Sequence, residues 1–269
     1  MDLILKSGAH GLPVQELQGL LSAAGFKVVV DGWFGDVTAA AVMEAQRQFG
    51  LVVDGVAGPK TMAALRGLSV RHCLSEADLQ AAADKLEVPL ASVKAVNAVE
   101  SVGCGILPDG RPKILLERHV AYRLAKEAGM DADALAARFP AIINKARGGY
   151  AGGASEWVRF DSLGGITSQA VAVGACSWGL FQIMGYHWGE LGFTAAEEFQ
   201  MAMFASEGNQ LDAFVRYVQN DPALLKALRA RKWTDFARLY NSPAFAENSY
   251  DAKMAAAYAR FAPVEKAAA

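Results

Sequence analysis

The sequence predicts a mainly α protein in two parts. A three-helix module over residues 1–70 is followed, after a linker at 71–79, by a larger α+β domain over 80–269 with one small β-hairpin. Three observations carry this prediction. A turn motif occurs twice near the N-terminus with a helical apolar pattern after each copy, an N-cap signature restarts the chain near residue 75, and a Pro-Asp-Gly turn separates two apolar runs further on.

Composition sets the outer limits. With 269 residues, 53% hydrophobic and 20% charged, the chain can bury one large core and one small one. Its formal net charge of −2 supplies no global positive field for nucleic acid or an anionic membrane. Cys73, Cys104 and Cys176 are an odd set without C-x-x-C spacing, so they read as reduced, packed thiols. The opening apolar run over residues 1–6 is too short for a signal peptide, and no stretch reaches the ~18 apolar residues of a membrane span. The expectation is a cytosolic protein at synthesis, monomeric and without a Sec signal.

The repeat comes first. Asp31-Gly32-Trp33-Phe34-Gly35-Asp36-Val37-Thr38 and Asp54-Gly55-Val56-Ala57-Gly58-Pro59-Lys60-Thr61 both read D-G-x-x-G-x-x-T. Asp and Gly suit a tight turn, and Asp36 or Pro59 opens the helix behind it. Ala41, Val42, Ala45 and Phe49 give one helix its apolar face, and Met62 and Leu65 the other; Val14, Leu17, Gln18 and Leu21 mark a third helix upstream. Such a unit offers no acid–base pair, which favours binding over catalysis. With Ala41-Val42-Met43-Glu44-Ala45-Gln46 and Gly50-Leu51-Val52-Val53-Asp54-Gly55 between the copies, residues 10–68 resemble the type 1 peptidoglycan-binding domain. The resemblance implies muropeptide or glycan binding, with Asp31, Trp33, Phe34 and Asp54 as candidate contacts. Core packing is the open alternative for Trp33 and Phe34.

Ser75-Glu76-Ala77-Asp78 then starts a helix over residues 76–86, and Pro89 allows a second through Leu90, Val93, Val96 and Val99. Glu100 ends that second helix on the face shared by Val93 and Val96. A carboxyl held against apolar neighbours keeps its proton nearer neutral pH, as a general acid requires. Residues 101–107 and 113–117, joined by Pro108-Asp109-Gly110-Arg111-Pro112, read as a hairpin returning a second acid, Glu117. A helix-end glutamate followed by a hairpin is the layout of the lysozyme superfamily, and paired carboxylates are the usual equipment of glycoside hydrolysis. The competing readings are a surface glutamate at position 100 and an ion pair between Glu117 and Arg118.

Two later motifs extend the resemblance. Cys176-Ser177-Trp178-Gly179-Leu180-Phe181-Gln182-Ile183-Met184 resembles the sugar-cleft segment of goose-type lysozymes and lytic transglycosylases. Tyr240-Asn241-Ser242-Pro243 with Asn248-Ser249-Tyr250-Asp251-Ala252-Lys253-Met254 resembles a segment of the N-acetylmuramidase domain of modular phage endolysins, with Ser242 where glycine is usual. Ala98-Val99-Glu100-Ser101 and Ile114-Leu115-Leu116-Glu117-Arg118-His119 occur in the same order as in that family, so the resemblance spans residues 80–262. It implies a lysozyme-like domain with Glu100 as acid, Glu117 as second carboxylate, and Ser177, Gln182, Tyr240 and Asn241 at the substrate. It further implies a peptidoglycan substrate, no cofactor, and release to the wall through a holin-made lesion. A lytic transglycosylase and an inert wall-binding protein are the alternatives.

Other chemistry is set aside on residue grounds. His10, His72, His119 and His187 contain no H-E-x-x-H pair for zinc, and His119 would share a strand face with Glu117 if the strand continued. Cys104 has no evident histidine partner. The glycines over residues 148–153 lack a P-loop lysine and read as a loop, while 222–233 reads as a basic amphipathic helix with a solvated face, a membrane contact being the lesser alternative.

Overall fold

The computed structural model describes residues 3–101, 103–241 and 249–268. The expected mainly α class holds: the described residues form fourteen α-helices and one small antiparallel sheet. By contact density the chain divides into two units, residues 1–104 with 227–269, and residues 105–226.

In the first unit, the N-terminal module is built from α1 (Leu12–Ala23), α2 (Asp36–Gln48) and α3 (Pro59–Leu65). Val14, Leu17, Gln18 and Leu21 are the buried residues of α1, and with Phe34, Val42, Ala45 and Met62 they make one core. Phe49 and Leu65 pack on it from half-buried positions. The polar members of the repeat are what close it. The Gln18 amide, fully buried, donates to Asp31 Oδ1 (2.8 Å), to the Trp33 carbonyl (3.1 Å) and to Thr38 Oγ1 (3.0 Å), and accepts from Gly32 N–H (2.8 Å). Gln46 repeats the pattern with Asp54 (2.8 Å), the Val56 carbonyl (3.0 Å), Thr61 (3.3 Å) and Gly55 N–H (3.0 Å). Each glutamine satisfies a turn whose backbone groups would otherwise be stranded beside the core.

The same unit continues with α4 (Glu76–Leu86), where Ser75 and Asp78 form a reciprocal capping box, and α5 (Leu90–Glu100), which begins directly after Pro89. Helix α13 (Trp233–Asn241) and the long α14 (Tyr250–Ala268) complete it, and α14 packs against both α5 and α13. The stretch at 222–233 is not one helix. Helix α12 (Pro222–Arg229) stops, Arg231 takes a left-handed conformation at φ 53°, and α13 starts at Trp233. Arg229 donates to the Leu86 carbonyl at the end of α4 (2.9 Å) and pairs with Glu87 (2.9 Å), so its charge is engaged within the unit.

The second unit holds the sheet. Strand β1 (Ile114–Leu116) pairs with β2 (Cys176–Trp178), which pairs with β3 (Ile183–Met184), all antiparallel. The hairpin expected between 101–107 and 113–117 is therefore reduced to a turn with one bridge, Ile106 with Pro112, and the true hairpin is β2–β3. The strand pairing of β1 goes elsewhere: its partners come from 176–178, while the Gly105 N–H donates to Glu207 of α11 (Glu207–Asn220) and the Gly105 carbonyl accepts from both Lys113 N–H and Gln210. Helices α8 (Ser155–Ile166) and α9 (Gln169–Ala175) pack on the sheet, α6 (Arg118–Glu127) packs on α9, and Trp178 lies 1% exposed among Trp157, Phe160 and Phe199.

Candidate functional site

Glu100 is the last residue of α5. Burial fades along that helix: Val93 and Val96 are 2% and 1% exposed, Asn97 and Val99 are half-buried, and so is Glu100. The acid thus stands at the rim of the apolar face it was expected to share. Ser101 follows as C-cap, its N–H on the Asn97 carbonyl at 3.0 Å.

Tyr240, on α13 of the same unit, is half-buried with its ring stacked on Phe236 at 5.8 Å. Asn241 ends α13, and Ser242, Pro243 and Asn248 of that motif lie outside the described residues.

Glu117 belongs to the second unit. The strand ends at Leu116 and Glu117 is the N-cap of α6, so the condition under which Glu117 and His119 would share a strand face is not met. Its carboxylate makes no capping bond. Instead it accepts from the Tyr150 hydroxyl on both oxygens, at 2.9 and 3.0 Å. His119 Nδ1 lies 3.3 Å away, near enough for charge to matter but without hydrogen-bond geometry. Burial lowers the His119 pKa against the opposing pull of Glu117, which favours the neutral ring. Burial, and then the bond to Glu117, raises the pKa of the Tyr150 phenol, so the hydroxyl stays a donor.

Ser177 and Gln182 do meet. The Ser177 hydroxyl donates to Gln182 Oε1 (2.8 Å), and Gln182 Nε2 donates to the Gly179 carbonyl (2.8 Å), closing the β2–β3 turn in which Gln182 sits at φ 50°. Register places Ser177 opposite Leu115, two residues from Glu117. Beneath this segment Cys176 is buried, and burial pushes its thiol well above the ordinary range. It is a packed thiol and no nucleophile.

In the N-terminal module the two aromatic candidates separate. Phe34 is fully buried in the core, whereas Trp33 is 56% exposed and stacks on the His10 ring at 6.0 Å. Asp31 and Asp54 use their carboxylates inside their own turns, accepting from Trp33 and Val56 N–H at 2.8 Å each.

Three residues escaped the sequence reading. Tyr150 stands in a glycine cluster that reads as a loop before the helix through Trp157, with cleft lining as its open alternative and no role for the tyrosine. Glu156, fully buried, was unmarked; burial pushes its carboxyl up, but bonds from Gly152, Leu116 and Ala151 N–H and the Arg159 charge together hold it below its ordinary value. Gln210, 1% exposed, ties Leu180, Gly105 and Met203 together. The available signals were a lone tyrosine bracketed by glycine pairs, and Glu156 three residues before Arg159 on one helix face. Among the described residues, no group of three His, Cys, Asp or Glu side chains is placed to hold a metal ion.

Fold and site together define a modular protein, with a repeat-built helical module at the front and carboxylates set at element ends behind it. The N-acetylmuramidase family model matches residues 89–262, more than half of the chain, and the chain belongs to that family. A peptidoglycan binding domain model matches residues 10–65. The crystal structure of the Burkholderia AP3 phage endolysin is 51% identical, with a TM-score of 0.91 covering 97% of this chain and 100% of that one. The N-acetylmuramoyl-L-alanine amidase CwlL of Bacillus licheniformis is 42% identical over 71 residues, 25% of this chain and 20% of the relative. The zinc D-Ala-D-Ala carboxypeptidase of Streptomyces albus G is 36% identical over 72 residues, 26% of this chain and 28% of the relative. The chain therefore spans between 20% and 28% of the length of these two curated relatives.

Proposed function

We propose that the protein is an endolysin that binds bacterial peptidoglycan and hydrolyses the β-1,4 bond between N-acetylmuramic acid and N-acetylglucosamine. The carrying observation is the match of residues 89–262 to the N-acetylmuramidase family with Glu100 at the rim of α5. The likeness over nearly the whole chain to a phage endolysin supports the lytic setting.

In this reading Glu100 protonates the glycosidic oxygen. Its half-buried position withdraws it from bulk water while leaving an edge open to substrate. Glu117 stabilises the oxocarbenium-like transition state or positions the water. Ser177, Gln182, Tyr240 and Asn241 bind the sugars; an amide has two N–H donors, and Gly179 takes one from Gln182. Residues 1–70 grip the wall through Trp33 and His10, whose stacked rings form an apolar step at the surface. Residues 71–79 link them to the catalytic part, 80–269. The enzyme reaches the wall through a holin-made lesion.

Glu100→Gln tests the acid. Turbidity loss of purified peptidoglycan is expected to slow by about 10²-fold or more with the melting temperature unchanged. Lysis at the parental rate removes Glu100 from the role. Mass spectrometry of the products reads the reaction itself: reducing muramic acid ends support hydrolysis, and 1,6-anhydro ends would replace it by lytic transglycosylation.

A further inference from the structure

The Glu117 carboxylate occupies a position that ordinarily caps a helix, and it does not cap. It turns from the α6 N–H groups to the Tyr150 hydroxyl. Its own side chain is only 18% exposed, and among the described residues no Lys or Arg forms a salt bridge with it. His119 is its other neighbour, biased to the neutral form. Groups felt across this cluster are Arg123 and Arg147, acting on His119, and Arg147 and Glu156, which act on Tyr150 in opposite directions. The Tyr150 hydroxyl is thus the hydrogen-bond donor the structure aims at this carboxylate.

Tyr150 itself is not held by a core, since it is 47% exposed. Its loop holds it. Gly148, Gly149, Gly152 and Gly153 flank it at φ 82°, 78°, 76° and 55°, conformations open to glycine at little cost. On the near side Arg118, the residue after Glu117, donates to the carbonyls of Ala146 (2.9 Å), Arg147 (2.7 Å) and Pro140 (3.4 Å). A Cβ on Gly149 would stand 3.0 Å from Arg118 Nη1. On the far side Glu156 accepts from Ala151 and Gly152 N–H at 2.6 and 2.8 Å, and it is anchored to Arg159 and to Leu116 N–H. Both flanks of Tyr150 are therefore tied to a neighbour of Glu117, one through Arg118 and the other through Glu156, which accepts from the Leu116 N–H.

We infer that Tyr150 is the positioning residue for Glu117: its hydroxyl fixes the carboxylate's orientation toward substrate, and the glycine-bracketed loop, pinned by Arg118 and Glu156, delivers it. Preorganising a charged group in this way removes reorganisation from the chemical step. The inference rests on the proposed muramidase reading and on Glu117 as its second carboxylate.

The test compares the full-length parent, Tyr150→Phe, Glu117→Gln and the double variant on purified peptidoglycan, with rate measured against wall concentration. Tyr150→Phe is expected to lower kcat about tenfold while KM moves less than about twofold, the loss of one oriented hydrogen bond. In the Glu117→Gln background the same change is expected to have no further effect. Ultraviolet titration supplies a readout independent of rate. The phenol absent from Tyr150→Phe should titrate at lower pH in Glu117→Gln than in the parent, because its acceptor has lost its charge. Additive losses in the double variant, or a phenol indifferent to Glu117, overturn the inference. A slowed Glu117→Gln beside a fully active Tyr150→Phe overturns it while leaving Glu117 in the reaction. A fully active Glu117→Gln removes Glu117 itself and the inference with it.

Discussion

The two copies of the turn repeat share one hydrogen-bond pattern and live in opposite surroundings. In the first, Asp31 is exposed, and the Trp33 N–H and Gln18 amide lower its pKa. In the second, burial raises the pKa of Asp54 although Val56 and Gln46 supply the same two bonds and Lys94 and Arg260 oppose the shift. The second copy is covered. The Val53 N–H donates to Glu76 Oε2 (2.9 Å), and Lys94 of α5, 7% exposed, reaches the Val53 carbonyl (3.0 Å) while pairing with Glu76. The first copy leaves Trp33 in solvent. One local motif thus sits in two settings, an open tip facing solvent and a closed tip joined to the helix that ends in Glu100.

If the motif is one device used twice, its glutamines are equivalent. Gln18→Met and Gln46→Met are each expected to cost about 2–3 kcal/mol in chemical denaturation, because each strands buried donors and acceptors. A large loss for one and almost none for the other would break the equivalence.

The aspartates are expected to part with pH. Asp31, lowered in the fold, contributes stability above its unfolded value of 3.8 that is lost as pH falls through the folded value. Asp54, raised, does the reverse: its penalty is absent below 3.8 and grows as pH rises through the folded value. The melting-temperature deficit of Asp31→Asn should therefore grow from acid to neutral pH, while that of Asp54→Asn should shrink or change sign. Parallel curves would mean that the second tip is as wet as the first.

Trp33→Ala is expected to change stability by less than about 0.5 kcal/mol, since its ring lies outside the core. It should weaken co-sedimentation with purified wall by about tenfold. Unchanged affinity would move the grip elsewhere on the module.

Local patterns were legible where the deciding contacts are near in sequence. The four residues marking α1 are its buried ones, and the helix at 76–86 runs as expected from its capping box to its last leucine. The sheet was not legible in this way. Strand β1 finds its partner some sixty positions on, at 176–178, and no feature of 101–117 announces that a distant segment will displace the nearer one. The glycines at 148–153 signalled a loop, but nothing local points Tyr150 at Glu117, thirty-three residues away.

By itself the sequence determined the repeat, the helix ending in Glu100, the order of the four motifs and, through them, the family. Short-range periodicity, caps and turns record these directly, because their physics acts within a few residues. Tertiary structure alone decided which repeat tip is open, that Phe34 is core while Trp33 is surface, and that Glu117 forgoes its helix for Tyr150. Burial, and the pKa values and hydrogen-bond partners that follow from it, depends on what arrives from elsewhere in the chain.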